Sequence, residues 1–513
     1  MIIDRTWNKN TQNYVISYID DNGDRRIWNK YMHHWKTYEY DENGRYETWD
    51  GKRANMIFKN SFDYTPNEFD ELEFLYNLKE TEPELLRTLH KSNSPRTYVF
   101  DIETEFVEGE FPEPEKAEHR IVSISLVGPD LSCIVYGLHQ LDETQKNTLR
   151  DRYINWINKN KFASQHYNGN IKVLYQAFRS EEEMLTHFMT RVLPKVICLT
   201  GWNTYNFDYL YLVNRIIRLF GKGEAMNMIK LCSPTREIHN MRVDDGFGNK
   251  FKIPTPKHTL WLDEMELVKQ YDYALRPYES YSLDYVANKG IGAEKIKYSG
   301  SLNDLYNKDY EWYYFYNAID SLLVMLLHYR LKCIESPVAV ASLTLVPLLK
   351  AFGQVALTTA NVFEEFYNDD KRVVYSRKDN VKEPYKGAFC GCIPGRYLYS
   401  VCSDFSALYP SMIRTCNISF ENFVENLGIN PETGKYGRIP WPEDKLEEFR
   451  KDPNYFVTVN GNVYKNDKDY AFRRVMKKLV TKRGYFKYGG NDTEAELLPY
   501  LDKLIAEKES LAA

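Results

Sequence analysis

Alternating apolar and polar positions, broken by turn residues, dominate the first 95 positions of the chain. Residues 14–19, the turn Asp21-Asn22-Gly23 and the pair Ile27-Trp28 predict a β-hairpin. A helical period takes over at residues 68–90. The compact apolar run 97–100 then predicts a strand that continues into Asp101-Ile102-Glu103-Thr104 and opens a new domain. Residues 196–199 predict a short strand before a glycine turn, 209–220 a helix, 241–254 a surface hairpin, and 312–327 a strongly apolar helix.

The remaining pattern is sparser. Residues 339–370 are apolar and helical, and Tyr397, Leu398, Tyr399 and Val401 predict a strand running into Asp404, with Tyr409 on a strand-to-helix turn. Phe472, Val475, Met476, Leu479 and Val480 recur at helical spacing. At about 100° per residue, Arg483 and Lys487 fall on that same stripe and are expected to point inward. One more amphipathic helix is expected at 494–511.

A chain of 513 residues is too long for one core and divides into roughly three or four domains. Hydrophobic residues make up 43% and charged residues 27%, the balance of a globular protein. The 41 tyrosines and 26 phenylalanines fill cores and domain seams, with base stacking as a further use. A net charge of −5 excludes a histone-like positive coat and leaves room for a local basic stripe. The apolar stretch 336–349 is short and holds Pro347, and the N-terminus lacks a signal-peptide core. No membrane association and a cytoplasmic site, host cytoplasm if the protein is viral, are therefore expected. The eight cysteines fit reduced thiols, and Cys390, Cys392, Cys402 and Cys416 lack the paired spacing of a zinc site.

Candidate chemistry begins at Asp101 and Glu103, which share one face of their strand. Two carboxylates so placed repel unless a cation or proton lies between them, although an exposed edge with solvated acids fits the pair equally well. Asn203, Phe207 and Asp208 follow a glycine turn at a helix start. Tyr316 and Asp320 stand four apart on the apolar helix, where an aspartate needs a partner or a metal. Lys295 and Lys297 precede it and fit surface lysines, with DNA phosphates as the alternative partner.

These residues, in this order, resemble the three motifs of DnaQ-like 3′–5′ exonucleases: Asp101 with Glu103, then N-x-x-x-F-D at Asn203, Phe207 and Asp208, then Y-x-x-x-D at Tyr316 and Asp320. The run SDFSALYPS at 403–411 is similar to motif A of family B DNA polymerases, and the chain looks most like the T-even-type bacteriophage members. The resemblance implies an α/β multidomain fold: an RNase H-like exonuclease domain at 96–335, an N-terminal domain at 1–95 to which 336–380 returns, a partial palm at 381–468 and partial fingers at 469–513.

It further implies that Asp101, Glu103, Asp208 and Asp320 bind two Mg2+ or Mn2+ ions, that Tyr316 orients the attacking water, and that Asn203 and Phe207 contact DNA. By the same resemblance the 241–254 hairpin moves the primer strand between sites, and Tyr385, Lys386 and Gly387 touch the template. Asp404 and the carbonyl of Phe405 bind the polymerase metals, Leu408 and Tyr409 face the dNTP, and Arg483 with Lys487 holds its triphosphate. Ala407 stands where most relatives carry serine, which removes one possible hydrogen bond to the nucleotide. Neither a D-T-D pair nor a K-x-x-x-N-S-x-Y-G run accompanies these motifs in the sequence given. The expectation is a proofreading polymerase part that synthesises only with a second chain carrying motifs B and C and the thumb, and through it a sliding clamp. A stand-alone exonuclease and a non-catalytic DNA-binding assembly subunit are the alternatives.

Overall fold

In the N-terminal stretch the hydrophobic alternation folds into two small sheets. β1 (Ile2–Asn8), β2 (Asn13–Ile19) and β3 (Arg25–Tyr31) form an antiparallel meander in which β2 and β3 are the expected hairpin, with Gly23 at φ +77° in its turn. β4 (His34–Tyr40), β5 (Tyr46–Glu47) and β6 (Arg53–Asn60) form a second sheet in the order β4-β6-β5. The helical period of 68–90 resolves into two helices, α1 (Glu68–Thr81) and α2 (Pro83–Leu89), because Pro83 cannot donate the backbone bond of a continuous helix and belongs in a first turn.

This computed structural model describes residues 1–105, 112–167, 169–244, 250–272, 274–298, 302–375, 391, 393–401, 403, 405, 407–429 and 441–487, without the side chains of 244 and 484–487. The chain forms two compact units, one of residues 1–32 and 75–357, the other of 33–74 and 358–513.

The first unit is built on a six-stranded sheet. Its elements follow as β7 (Thr97–Thr104), β8 (Ile121–Val127), β9 (Cys133–Gly137), α3 (Glu143–Lys159), β10 (Val173–Ala177), α4 (Glu181–His187), β11 (Cys198–Thr200) and α5 (Asp208–Leu231). A hairpin of β12 (Ile238–Asp244) and β13 (Lys250–Pro256) precedes β14 (Leu260–Trp261). Strand order is β10-β9-β8-β7-β11-β14, and β8 alone runs against the rest. That mixed sheet fits the RNase H-like arrangement expected. The hairpin matches the one foreseen at 241–254. Val243 and Ile253 are buried in the core that α5 covers, and the tip, 245–249, lies outside the described residues.

Four helices follow: α6 (Glu264–Tyr271), α7 (Leu283–Ile291), α8 (Leu302–Lys308) and α9 (Tyr310–Leu331). Every residue of α9 from Tyr313 to Leu327 is buried, as an all-round apolar helix must be. It lies across β7, β8 and β9 and is covered by α3, α7 and α8. β8 is buried along its whole length because both faces are covered. The alternation on β7 splits its side chains: Phe100 and Ile102 enter the core beneath α5, while Asp101 and Glu103 take the opposite face.

Beyond α10 (Glu335–Thr344), α11 (Leu348–Ala351) and α12 (Gln354–Asn368), the second unit contains α13 (Leu408–Thr415), β15 (Phe423–Asn426), α14 (Glu443–Lys451), β16 (Tyr455–Val457), β17 (Asn462–Lys465) and α15 (Ala471–Lys487). The three strands pair in the order β15-β17-β16. Ala471 and Val475 of α15 pack on Val362 and Phe366 of α12, and Arg474 bonds Glu365 and Asp369 at 2.7 Å each.

Two expectations need correction here. Tyr397, Leu398, Tyr399 and Val401 form no strand and are 65–96% exposed. A strand needs a neighbour for its backbone groups, and none of the described strands pairs with this run. Arg483 is exposed rather than inward-facing. The packed part of the α15 stripe ends near Met476, and Leu479, one turn later, is already 45% exposed.

Gly201 closes β11 where it runs beside β7. A Cβ there would lie 2.4 Å from Thr204 Cγ2 and 2.6 Å from the carbonyl oxygen of Phe100, which is backbone and cannot turn away. Gly201→Ala is expected to destabilise the chain by about 1–3 kcal/mol, seen as a lower urea midpoint with an unchanged slope.

Candidate active site

Side-chain alternation places Asp101 and Glu103 together on β7, and α9 passes over that face with Asp320. One carboxylate oxygen from each of Asp101, Glu103 and Asp320 lies within 4.8 Å of the others. Asp320 is buried, and the other two are half-buried. Asp208, at the start of α5, stands beside this triad rather than within it. Its Oδ1 accepts the amide of Ile102 at 3.1 Å, and its charge is the strongest neighbouring charge on Asp101.

Crowding of like charge away from water governs the protonation of the group. Burial, then the charges of Asp208, Glu103 and Asp320, hold the Asp101 carboxyl well above the usual carboxylate range. Burial and Asp320 push Glu103 up to about 8. Burial raises Asp208 to about 7 against the amides of Ile102 and its own residue, which favour the charged form. Asp320 is raised by burial and opposed by Lys295, and its Oδ1 has no hydrogen-bond partner among the described residues.

Lys295 is a constituent of this site, not a surface lysine. Its Nζ lies 2.6 Å from Asp320 Oδ2 and 3.4 Å from the Tyr316 hydroxyl. Burial alone lowers its pKa, but attraction from Asp320, Tyr316 and Asp101 outweighs burial and keeps it protonated. Tyr316 is buried, with Tyr298 packed edge-on at 5.5 Å. Burial and the nearby carboxylates raise its phenol, so it stays protonated. Lys297 is exposed and pairs with Glu294 at 2.7 Å.

The second motif is delivered by a clamped turn. Asn203 adopts φ +61°, and its carbonyl accepts the amides of Asn206 and Phe207 at 3.2 and 3.1 Å. The buried carboxylate of Asp263 accepts the amides of Asn203, Tyr205 and Glu266 at 3.2, 2.9 and 3.2 Å, and Thr204 Oγ1 donates to the carbonyl of Leu262 at 3.1 Å. The clamp fixes where α5 begins, hence where Asp208 sits. Asn203 and Phe207 are half-buried, and the Phe207 ring packs on Tyr211 at 5.5 Å.

Of the expected polymerase residues, Asp404, Tyr385, Lys386 and Gly387 lie outside the described residues, as does the side chain of Lys487. Phe405 and Tyr409 are 77% and 74% exposed, and Leu408 and Tyr409 open α13 without the expected strand before them. Ala407 precedes it at φ +50° with no side-chain cap. The site on β7, α5 and α9 is thus the one the described residues assemble.

Sequence reasoning missed Asp263 and Asn317, and it named Lys295 without its partner Asp320. Nothing in the period around Lys295 marks it, because its partner is 25 residues away on another element. Asn317 carried a usable signal, a fully buried amide in an apolar helix next to Tyr316. A divalent cation fits the donor set: three clustered carboxylates, an unpartnered buried oxygen on Asp320 and a fourth acid alongside.

The raised acids give a signed pH effect. Each binds its proton more tightly in the folded chain, so folded stability falls as pH rises from the ordinary 3.8 through about 7 for Asp208, and from 4.5 through about 8 for Glu103. In chelator, the unfolding midpoint is expected to drop between pH 5 and pH 8. Asp208→Asn, whose amide oxygen can still accept from Ile102, should raise the pH 8 midpoint by about 1–2 °C, the shift that about 1 kcal/mol produces in a unit of some three hundred residues, and the pH 5 midpoint by less.

Residues 71–286 match the family model described as DNA polymerase family B, exonuclease domain. Over 399 residues, 76% of this chain and 41% of the relative, the chain is 27% identical to a DNA-directed DNA polymerase of Escherichia phage RB69. It is 26% identical over 322 residues to the DNA-directed DNA polymerase of Enterobacteria phage T4, covering 62% of this chain and 34% of that one. The DNA polymerase delta catalytic subunit of Candida albicans is 27% identical over 321 residues, 59% of this chain and 28% of the relative. The matched part spans about two-fifths or less of the length of these relatives. Among the described residues, no helix is long and apolar enough to cross a membrane. Residues 71–286 thus match the exonuclease domain of family B DNA polymerases, and the chain is similar to phage DNA-directed DNA polymerases.

Proposed function

We propose that the first unit is a 3′–5′ deoxyribonuclease that removes nucleotides from single-stranded or mispaired primer ends. The observation that carries this reading is the convergence of Asp101, Glu103 and Asp320 within 4.8 Å, with Asp208 alongside and Lys295 against Asp320. Asp101, Glu103, Asp320 and Asp208 hold two Mg2+ or Mn2+ ions. When bound, these supply Lewis-acid stabilisation of the attacking water and of the departing 3′ oxygen. Tyr316, protonated beside Asp320, holds the attacking water by its hydroxyl. Lys295 balances the carboxylate charge and presents its ammonium to the scissile phosphate. Asn203 and Phe207 line the approach of the DNA end, which reaches the site more readily when it is already unpaired.

The polymerase part is proposed as one share of a nucleotide-adding site. Asp404 and the carbonyl of Phe405 serve as metal ligands, Leu408 and Tyr409 meet the dNTP, and Arg483 and Lys487 hold its triphosphate. Tyr385, Lys386 and Gly387 contact the template. Two-metal phosphoryl transfer needs carboxylates beyond Asp404, so nucleotide addition is assigned to a site that Asp404 shares with further acidic residues. The exposed Arg483 on α15 suits contact with a triphosphate.

The test is incubation of the chain with 5′-labelled single-stranded and mismatched primers and Mg2+, with and without dNTPs. Shortening is expected without dNTPs, and a folded chain that leaves both primers intact would contradict the nuclease reading. Asp101→Ala with Asp320→Ala should reduce shortening to background in a folded protein. Lys295→Met is expected to slow it by about 10²-fold, measured as single-turnover rate.

A further inference from the structure

Asp101 has to present its oxygens to cations from a fixed direction while three other acids crowd it. The group that meets it from α9 is an amide. Asn317 is fully buried, and its Nδ2 donates to Asp101 Oδ2 at 2.6 Å. The other end of that amide is also held: Ser123 Oγ donates to Asn317 Oδ1 at 2.8 Å. Ser123 is the β8 residue paired with Glu103, and Ser125, paired with Asp101, lies on the same face. Ser125 Oγ donates to the backbone carbonyl of Asn317 at 2.9 Å and meets Ser321 Oγ at 2.7 Å. All three serines are fully buried.

The donor directions in this chain follow from chemistry. The Asn317 NH2 faces Asp101 Oδ2 and its oxygen faces Ser123, the orientation that an ionised, cation-binding Asp101 requires because a carboxylate only accepts. A flipped amide would set oxygen against oxygen. Ser125 has one proton, spent on the Asn317 carbonyl, so Ser321 donates to Ser125. Two neighbouring strand hydroxyls thereby fix both the amide plane of Asn317 and the height of α9 above Asp101.

We infer that Asn317, oriented by Ser123, is a positioning residue that sets the Asp101 carboxylate for cation binding by occupying one face of its Oδ2 and leaving the remaining lone pairs aimed at Glu103 and Asp320. The inference rests on the nuclease reading for its use, but its test is independent of DNA. Hydrogen-bonded partners of ligating carboxylates typically change metal affinity or activity by about 10–100-fold when removed.

Binding of Mn2+ to the full chain, followed by the electron paramagnetic resonance of the free ion, is the direct assay. Asn317→Ala is expected to weaken binding by about 10–100-fold. Ser123→Ala, which frees the amide to turn without touching Asp101, should give a smaller loss in the same direction. In the nuclease assay both should lower kcat and raise the Mn2+ midpoint while the KM for single-stranded DNA stays put. Unchanged Mn2+ binding by a folded Asn317→Ala chain overturns the inference. Should that variant not fold, unchanged binding by Ser123→Ala overturns it. A wild-type chain that binds Mn2+ but shortens no DNA contradicts the nuclease reading and leaves this one standing, whereas a wild-type chain that binds no Mn2+ removes both.

Discussion

Mutual repulsion among four acids brought together in a largely dry site is the constraint on which this structure turns. Asp101, Glu103, Asp208 and Asp320 come from a strand, a helix start and a helix middle, and each is held above its ordinary pKa by burial and by its neighbours. A fold organised only for stability would place a proton, an amide or an apolar side chain at most of these positions. Here the surrounding groups only partly offset the charge: the amide of Ile102 for Asp208, the ammonium of Lys295 for Asp320, the amide of Asn317 for Asp101. The remaining repulsion is what a divalent cation relieves.

The scaffold supplies rigidity in proportion. β8 is buried along its length, and α9 is buried from Tyr313 to Leu327, so neither element can shift without disturbing the core on several sides. The turn before α5 is tied to Asp263 by two amides, those of Asn203 and Tyr205, and the Asp263 carboxyl is pushed up to about 6 by burial despite these bonds and that of Glu266. Gly201 allows β11 to approach β7 closely enough for this turn to reach the site. Such arrangements hold side chains to a fraction of an ångström, which oriented phosphoryl chemistry requires.

Much of this was legible in the residues, and the parts that were not share a cause. Period two placed Asp101 and Glu103 on one face, and spacing of four placed Tyr316 beside Asp320, because both relations are local. The register of β8 that sets Ser123 opposite Glu103, and the loop that returns Lys295 to Asp320, are products of tertiary packing and leave no periodic trace. Arg483 illustrates the opposite failure: the helical stripe extends about two turns past the place where α12 stops covering it, and the side chain is exposed. The run at 397–401 has strand-like composition but no described strand beside it, and composition alone does not make a strand.

The central claim is that the Asp101, Glu103 and Asp320 cluster is a divalent-cation site whose acids give up their protons when the ion binds. Calorimetric titration of the full chain with Mn2+ at pH 8 tests it most directly. The account predicts binding of about two ions per chain, and loss of that heat signal in the folded Asp101→Ala, Asp320→Ala variant. An isotherm shared by the wild-type and variant chains would contradict it.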